Sequence, residues 1–271
     1  MKTGYSIADI CGSYGYSRQC YYKRLKNQQK VKEKEMLILQ EVKTIRKKQP
    51  MVGGRKLQKM LKTNAVLIGR DRCFDILREN GLLVKPKRRY VITTNSKHRF
   101  KIYKNLIKNT RVKQSMKIFV SDITYISTRE GFKYLSLITD KYSRKIVGHA
   151  LSHSLSIEGN IEALKMALKD IKDPDQLIHH SDRGTQYCSK AYIEILKKHN
   201  VQVSMTEENH VYENALAERV NGILKNELML GETLISYKVA KVMVKEAIDI
   251  YNKERLHMSL DYMTPEQVHA S

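Results

Sequence analysis

The segment MKIFVSDITYIS at residues 116–127 decides the fold class. It is rich in β-branched and aromatic side chains and is apolar on both faces, as expected of a strand inside a covered sheet. Two further strand patterns follow after short turns, FKYLSLITD (132–140) and KIVGHALS (145–152). Together the three segments predict a meander of antiparallel strands with which the sheet begins.

The remainder of the chain alternates helix and strand patterns. Apolar residues at helical spacing predict helices, and short apolar runs between them predict strands. The predicted elements are a helix over 157–171, a strand over 177–182, a helix over 189–199, a strand over 201–205, and helices over 215–229 and 237–254. The order βββαβαβα predicts an α/β fold, a five-stranded mixed sheet flanked by helices.

Upstream of this sheet the patterns are helical. Residues 5–26 predict two short helices around a turn, a helix-turn-helix shape, and a longer helix is predicted over 32–48. A further helix pair is predicted over 55–62 and 71–80, and 82–94 is expected to form a basic β wing. The predicted regions are an all-α helix-turn-helix region (1–94), a basic linker (95–115) and an α/β core with a C-terminal helical extension (116–271).

Positive charge is concentrated towards the N-terminus. The formal net charge is +22, and residues 1–117 contain 31 of the 50 Lys and Arg but only 7 of the 28 Asp and Glu. Such a one-sided field predicts a polyanionic partner. Nucleic acid is favoured over anionic lipid, because no basic helix shows a strongly apolar opposite face.

Composition excludes several other classes of protein. With 41% hydrophobic residues the chain can bury a core, which excludes disorder throughout. No apolar stretch reaches the ~18–20 residues of a membrane-spanning helix, and no apolar signal core lies near the start of the chain. The four cysteines form no C-x-x-C pair, which argues against a disulfide framework and a structural zinc site. We therefore expect a cytoplasmic protein with no membrane partner.

Three carboxylates stand out by position. Asp122 lies inside the first predicted strand, where an ionised group is costly unless it is paired or bound to a cation. Asp182 ends the fourth strand, at the edge where open α/β sheets usually place their chemistry. Glu218 lies on the polar face of the helix predicted over 215–229. If the first and fourth strands are neighbours, these three groups can converge, and three hard oxygen ligands suit Mg²⁺ or Mn²⁺.

Position alone leaves other interpretations open. A strand aspartate is more often a turn or salt-bridge residue, and a glutamate on a polar helix face is usually only solvated. His179 and His180 lie beside Asp182, but their strand position favours a structural role over metal binding.

A pair of ions bound by the three acids, roughly 3.5–4 Å apart, would activate water and stabilise the leaving oxygen of a phosphodiester.

The sequences around the three acids resemble the motifs of one family. FVSDITYI surrounds Asp122, HHSDRGTQY surrounds Asp182 and ENALAERVNGILKNEL surrounds Glu218, with 35 residues between the last two acids. These motifs resemble the DDE transposases with a retroviral-integrase-like core, in particular the second-frame (OrfB) proteins of bacterial insertion sequences. YNKERLHMSLDYMTPEQV (251–268) is similar to the C-terminal signature of that family, and SYGYSRQCYYKRL resembles part of its helix-turn-helix region.

The resemblance implies an RNase H-like core joined to an N-terminal DNA-binding region. Asp122, Asp182 and Glu218 would bind two Mg²⁺ (or Mn²⁺) ions, hydrolyse one phosphodiester and join the freed 3′-OH to a second. The enzyme would be a polynucleotidyl transferase that acts at insertion-element ends. Lys225 is similar to a family position that contacts DNA. The candidate DNA contacts are Lys225, Asn221, Arg18, Lys23, Arg55, Arg70, Arg72, Lys87, Arg88 and Arg89.

Double-stranded DNA, as element ends and as target, is the expected partner. Because two ends must be paired, a homo-oligomer on DNA is expected. The resemblance also implies a first-frame (OrfA) partner protein and a bacterial, nucleoid-associated location. A non-catalytic, sequence-specific DNA-binding regulator is the alternative, and an RNase H-like nuclease is a third interpretation.

Overall fold

The computed structural model describes residues 4, 6–85, 101–108, 110–169, 171, 177–207 and 214–271. The chain divides into two compact units, one of Met1–Lys47 and Gly53–Leu83 and the other of Lys48–Val52 and Val84–Ser271. The predicted boundary between residues 94 and 95 lies outside the described residues, as does most of the predicted β wing. No helix in the described ranges is both long and apolar enough to cross a membrane.

The first unit is helical in the part of the chain that the structure describes. Its helices are α1 (Ile7–Ser13), α2 (Arg18–Lys48), α3 (Gly54–Thr63) and α4 (Arg70–Glu79). A reciprocal capping box begins α1, since the Ser6 side chain accepts from the Asp9 amide and the Asp9 carboxylate accepts from the Ser6 amide. Leu57, Leu61 and Ile76 are fully buried and provide the apolar core between α3 and α4.

Helix α2 differs from the prediction. It is one helix of 31 residues, where the sequence predicted a short second helix within 5–26 and a separate helix from residue 32. The chain has no Gly or Pro between Arg18 and Pro50, so nothing interrupts the hydrogen-bond ladder. Only the second half carries a buried stripe, with Ile38, Val42 and Ile45, and this is why the pattern identified that half alone.

The second unit is built on a mixed sheet that has five strands within the described ranges. They are β1 (Ile118–Thr128), β2 (Gly131–Asp140), β3 (Ile146–Ser152), β4 (Ile178–Ser181) and β5 (Gln202–Met205). The order across the sheet is β3-β2-β1-β4-β5. The first three strands pair antiparallel, and β4 pairs parallel with both β1 and β5. The predicted meander and five-stranded mixed sheet are confirmed.

Helices cover both faces of this sheet. They are α5 (Ile157–Leu168), α6 (Thr185–Cys188), α7 (Lys190–Lys198), α8 (Ala215–Asn226), α9 (Tyr237–Lys253) and α10 (Pro265–Ala270), with a 3-10 turn at Met258–Leu260. Phe119 of β1 packs in one apolar cluster with α5 and α7, and Ile126 of β1 packs in another with α8 and α9. Strand residues alternate between faces, so β1 needs apolar side chains on both.

The described part of the predicted linker packs against this sheet instead of standing apart from it. Ile107 is buried in a cluster with Ile118 and Val120. The amide of Leu106 donates to Ser204 Oγ at 2.9 Å. The structure therefore differs from the predicted linker over 101–108. The few apolar residues among the lysines and asparagines of this segment form no periodic pattern, so the sequence predicted only a charged linker.

Strand β3 and helix α5 approach closely at Gly148. A Cβ atom at this position would contact the carbonyl oxygen of Ala163 and lie 2.9 Å from the Cβ of Ala167. We expect Gly148→Ala to lower the free energy of unfolding by about 1–3 kcal/mol, because the backbone must shift to admit the methyl group. Urea unfolding followed by circular dichroism measures this.

Gly222→Ala in α8 is the matched control. The nearest heavy atom to its new Cβ would be 4.0 Å away. We expect this substitution to raise stability by up to ~1 kcal/mol, because alanine is the better helix former. Equal unfolding free energies for the two variants would contradict the close approach at Gly148.

Candidate active site

Two strands carry the aspartates to the same edge of the sheet. β4 runs parallel to β1 and pairs with it from Ile118 to Val120, with Val120 opposite His180. Continuing that register by two residues sets Asp122 beside Asp182, on neighbouring strands roughly 4.8 Å apart. Because the offset is two residues in both strands, the two side chains face the same side.

Helix α8 lies against this edge and brings the third acid. Asn214, at the start of α8, donates from Nδ2 to the Ser121 carbonyl oxygen at 3.1 Å. Asn221, two turns further, donates from Nδ2 to Asp122 Oδ2 at 2.7 Å. Glu218 lies on the turn between these two anchors, exposed to solvent. Asp122, Asp182 and Glu218 thus lie within electrostatic reach of one another.

Neighbouring carboxylates raise the pKa of Asp122 and of Glu218. Burial, and then the charges of Asp182 and Glu218, raise the pKa of Asp122 to about 7, against hydrogen bonds from the Ile123 amide and Asn221. Burial and the charge of Asp182 also raise the pKa of Glu218. The acids therefore lie within electrostatic reach of each other, in a region that disfavours their charged forms. A divalent cation would offset this repulsion.

The donor set suits a hard cation. All three acids offer oxygen, and the buried Oδ1 of Asn221 has no hydrogen-bond partner among the described residues. Mg²⁺ and Mn²⁺ prefer such ligands. Within the ranges that the structure describes, no three His, Cys, Asp or Glu side chains are already gathered into a metal cage. Asp122 and Asp182 are fixed by their strands, whereas the exposed Glu218 side chain can change rotamer.

Comparison with known proteins connects this site to a family. A family model described as Integrase core domain matches residues 112–210, and a second with the same description matches residues 199–265. The insertion element IS600 uncharacterized 31 kDa protein of Shigella sonnei is 34% identical over 261 residues, 94% of this chain and 96% of that protein. Transposase InsF for insertion sequence IS3A of Escherichia coli (strain K12) is 34% identical over 193 residues, 70% of this chain and 67% of that protein.

The chain belongs to the insertion-sequence transposases with an integrase core domain. This confirms the predicted DDE transposase, a polynucleotidyl transferase, and does not favour the non-catalytic regulator. The fold agrees. A chain of the simian T-cell lymphotropic virus intasome in complex with PP2A regulatory subunit B56 gamma superposes with a TM-score of 0.50 at 16% identity, over 79% of this chain and 70% of that one.

The two histidines of the transposase beside Asp182 face the interior. His179 Nε2 lies 2.7 Å from Ser121 Oγ and 2.9 Å from the Tyr192 hydroxyl. Burial, with a smaller contribution from His180, lowers the pKa of His179 to about 3, so this ring stays neutral. His180 Nδ1 lies 2.8 Å from Ser204 Oγ. The predicted structural role of the pair is confirmed.

Tyr187, the last residue of the HHSDRGTQY motif, is an interior residue. This residue of α6 is 3% exposed, and its hydroxyl is buried without a partner among the described residues. Burial, then Tyr192, then the charges of Asp122 and Asp182 raise its pKa well above the usual range. The Tyr187 hydroxyl therefore lies within electrostatic reach of the two aspartates. A tyrosine in a four-residue helix carries no periodic signal that would have shown its burial.

The candidate DNA contacts fall into three groups. Lys225 is half-buried near the acids, whereas Asn221 is 7% exposed and holds Asp122, an interior position. Those in the first unit are all exposed, namely Arg18, Lys23, Arg55, Arg70 and Arg72. Of these, Arg72 pairs with Glu35 and Arg70 pairs with Asp71. Lys87, Arg88 and Arg89 lie outside the described residues.

Proposed function

We propose that this transposase cuts and joins DNA at the ends of its insertion element with Asp122, Asp182 and Glu218 as the ligands of two Mg²⁺ ions. The observation that supports the proposal is the parallel pairing of β1 with β4, whose register, continued by two residues, would bring Asp122 and Asp182 side by side. When bound, the ions would activate a water molecule and stabilise the leaving oxygen of the phosphodiester.

The surrounding residues hold the aspartates in position. Asp122 Oδ2 accepts from Asn221, and Asp122 Oδ1 accepts from the Ile123 amide at 2.9 Å. Asp182 Oδ1 accepts from the Gly184 amide at 2.9 Å. A carboxylate oxygen has two lone pairs, so each can accept these bonds and still bind a cation. Fixed rotamers of this kind limit the reorganisation that metal and substrate binding require.

The helical unit supports the DNA-binding part of the proposal. Its exposed Arg18, Lys23 and Arg55 leave a basic surface, and charge of this kind binds phosphates without regard to sequence. We infer that residues 1–94 bind the element ends and that Lys225 contacts DNA beside the acids. Because two ends must be brought together, we infer a homo-oligomer on DNA, a first-frame (OrfA) partner and a location at the bacterial nucleoid.

A strand-transfer assay tests the function. Labelled duplex from the ends of the encoding element is incubated with the transposase and Mg²⁺, beside an Asp182→Asn variant. Loss of an outer-shell metal partner typically costs about 10–100-fold, so loss of a ligand should reduce cutting and joining by at least ~100-fold. Binding to the labelled DNA should be unchanged. Tight binding without any cutting by the wild type would instead support a regulator.

Asn221 provides a second, milder test of the same site. We expect Asn221→Ala to lower the strand-transfer rate by about 10–100-fold, because Asp122 loses the amide that fixes its rotamer. Excess Mg²⁺ should restore part of the rate. Asn226→Ala, at an exposed position of the same helix, is the matched control and should keep full activity. An unaffected Asn221→Ala variant would show that Asp122 needs no such support.

A further inference from the structure

Two aromatic side chains are exposed on the neighbouring strands β1 and β2. Tyr125 lies three residues after Asp122 on β1 and is 44% exposed, and Phe132 of β2 is 58% exposed. Their rings meet edge to face, with centroids 5.2 Å apart and planes at 68°. Single exposed apolar residues are ordinary on protein surfaces. Two exposed rings in contact are a more specific feature than one exposed residue, because strands β1 and β2 hold both rings in place.

A cation lies on the same surface. The ammonium group of Lys225 is 4.0 Å from the centroid of the Tyr125 ring. Lys225 follows Asn221 by one turn of α8, and Asn221 holds Asp122. Burial lowers the pKa of Lys225, while the charge of Asp122 raises it, so the ammonium lies within electrostatic reach of the acid. Lys225 therefore lies within reach of both the Tyr125 ring and Asp122, while alternation along β1 sets these two side chains on opposite faces of the sheet.

On the β4 side, β1 lacks a strand partner over part of its length within the described ranges. β4 pairs with β1 only from Ile118 to Val120, and the next backbone pairing on that edge is the bridge from Thr128 to Leu234. Asp122 and Tyr125 both lie in the interval between these pairings. A DNA strand that passes Asp122 and crosses this edge beside Lys225 would meet the Tyr125 ring.

We propose that Tyr125, Phe132 and Lys225 form a platform for an unpaired base of the DNA strand that the acids cut. The proposal rests on the proposed function of the acids. Every base has a flat π-face that can stack on an aromatic ring whatever its sequence, and such a contact is worth about 5- to 100-fold in affinity. Lys225 would meet the phosphate next to the stacked base.

The size of the surface favours a base over a protein partner. An aromatic residue offers about 150–250 Å² of surface, so two half-exposed rings present on the order of 200 Å². A stable protein interface needs about 800 Å² from each partner. One nucleobase fits the smaller area, and the adjoining ammonium complements its phosphate.

The test compares four DNA probes on the full chain. One is a duplex with a three-nucleotide unpaired end, and the others replace one unpaired nucleotide at a time by an abasic sugar. Affinities are measured in EDTA, so that no strand is cut. The duplex part contributes equally to the affinity of every probe, so its contribution cancels when the affinities of two probes are divided. At one position the wild type should prefer the base by about 5- to 100-fold.

The variants then assign that preference to the rings. Tyr125→Ala should remove it and leave binding of the abasic probe unchanged, Phe132→Ala should weaken it, and Tyr125→Phe should retain it. Met166→Ala, at a 42% exposed position of α5, is the matched control and should behave as wild type. Thermal melting checks that each variant folds. If Tyr125→Ala does not fold, Phe132→Ala carries the comparison.

Three results would overturn the platform. They are a wild type with no base preference, a preference that persists in both alanine variants, and altered sedimentation of the alanine variants with an unchanged base preference. The last would show a protein interface. Acid-dependent cutting in the assay with Asp182→Asn, together with any of these results, would reject the platform alone and leave the function of the acids intact.

Discussion

Replacement of Asp122 by asparagine is expected to abolish DNA cutting and, at the same time, to stabilise the metal-free transposase above neutral pH. Burial, then the charges of Asp182 and Glu218, raise the pKa of Asp122 to about 7. The pKa of an aspartate in an unfolded chain is about 3.9. The folded protein therefore disfavours the ionised carboxylate that a metal ion needs. Asparagine keeps the shape of the side chain and removes the charge.

The pH dependence of this effect has a defined sign. Below about pH 4 Asp122 is protonated in the folded and the unfolded chain, and its titration contributes nothing. As the pH rises from there to the folded pKa of about 7, only the unfolded chain loses the proton, so the free energy of unfolding falls. At higher pH the full penalty applies. It is on the order of a few kcal/mol, since a tenfold change in proton affinity is worth about 1.4 kcal/mol.

Urea unfolding in EDTA measures the prediction. Asp122→Asn should exceed the wild type in stability by a few kcal/mol at about pH 8 and by clearly less at about pH 5. Asp249→Asn is the control, because Asp249 forms an exposed ion pair with Lys253 and such pairs contribute little. A variant no more stable than wild type at the higher pH would contradict the repulsion between the acids.

Magnesium is expected to stabilise the wild type much more at about pH 8 than at about pH 6, because below its pKa of about 7 Asp122 must release a proton to bind the ion. In that range the apparent affinity for Mg²⁺ should fall about tenfold for each pH unit. Stabilisation by a ligand grows with the logarithm of its concentration over its Kd. The gain in Tm on adding Mg²⁺ should therefore shrink as the pH falls.

Differential scanning calorimetry with and without Mg²⁺ at the two pH values checks this. Asp122→Asn and Asp182→Asn should each lose most of the gain in Tm, while Asp249→Asn should keep it. A gain that is the same at both pH values, or that survives in Asp122→Asn, would place the bound ion elsewhere on the protein.

The sheet could be predicted from sequence because its patterns are local. Strand β1 is apolar on both faces and β2 follows after Gly131, so their limits agree with the prediction to within a few residues. Features without a pattern were missed. The first half of α2 buries none of its side chains, and Ile107 is buried within a charged segment. Neither segment has a hydrophobic periodicity from which its structure could be predicted.

The motifs predicted the acids of the site but not the residues that surround them. The motifs around Asp122, Asp182 and Glu218 identified the acids, since chemistry restricts which residues can serve as hard ligands. The roles of Asn221 and Tyr187 depend on contacts made across the fold. An asparagine on a polar helix face has the sequence signature of a surface residue, yet here it is buried against Asp122. Such roles become visible only when β1, β4 and α8 are placed together.

A crystal structure of the transposase with Mn²⁺ would show where the ions bind, because the anomalous scattering of manganese marks its position. We expect two anomalous peaks about 3.5–4 Å apart between Asp122 and Asp182, with Glu218 turned inward to complete the ligands. Peaks bound by other side chains, or none at a manganese concentration that supports DNA cutting, would contradict this expectation.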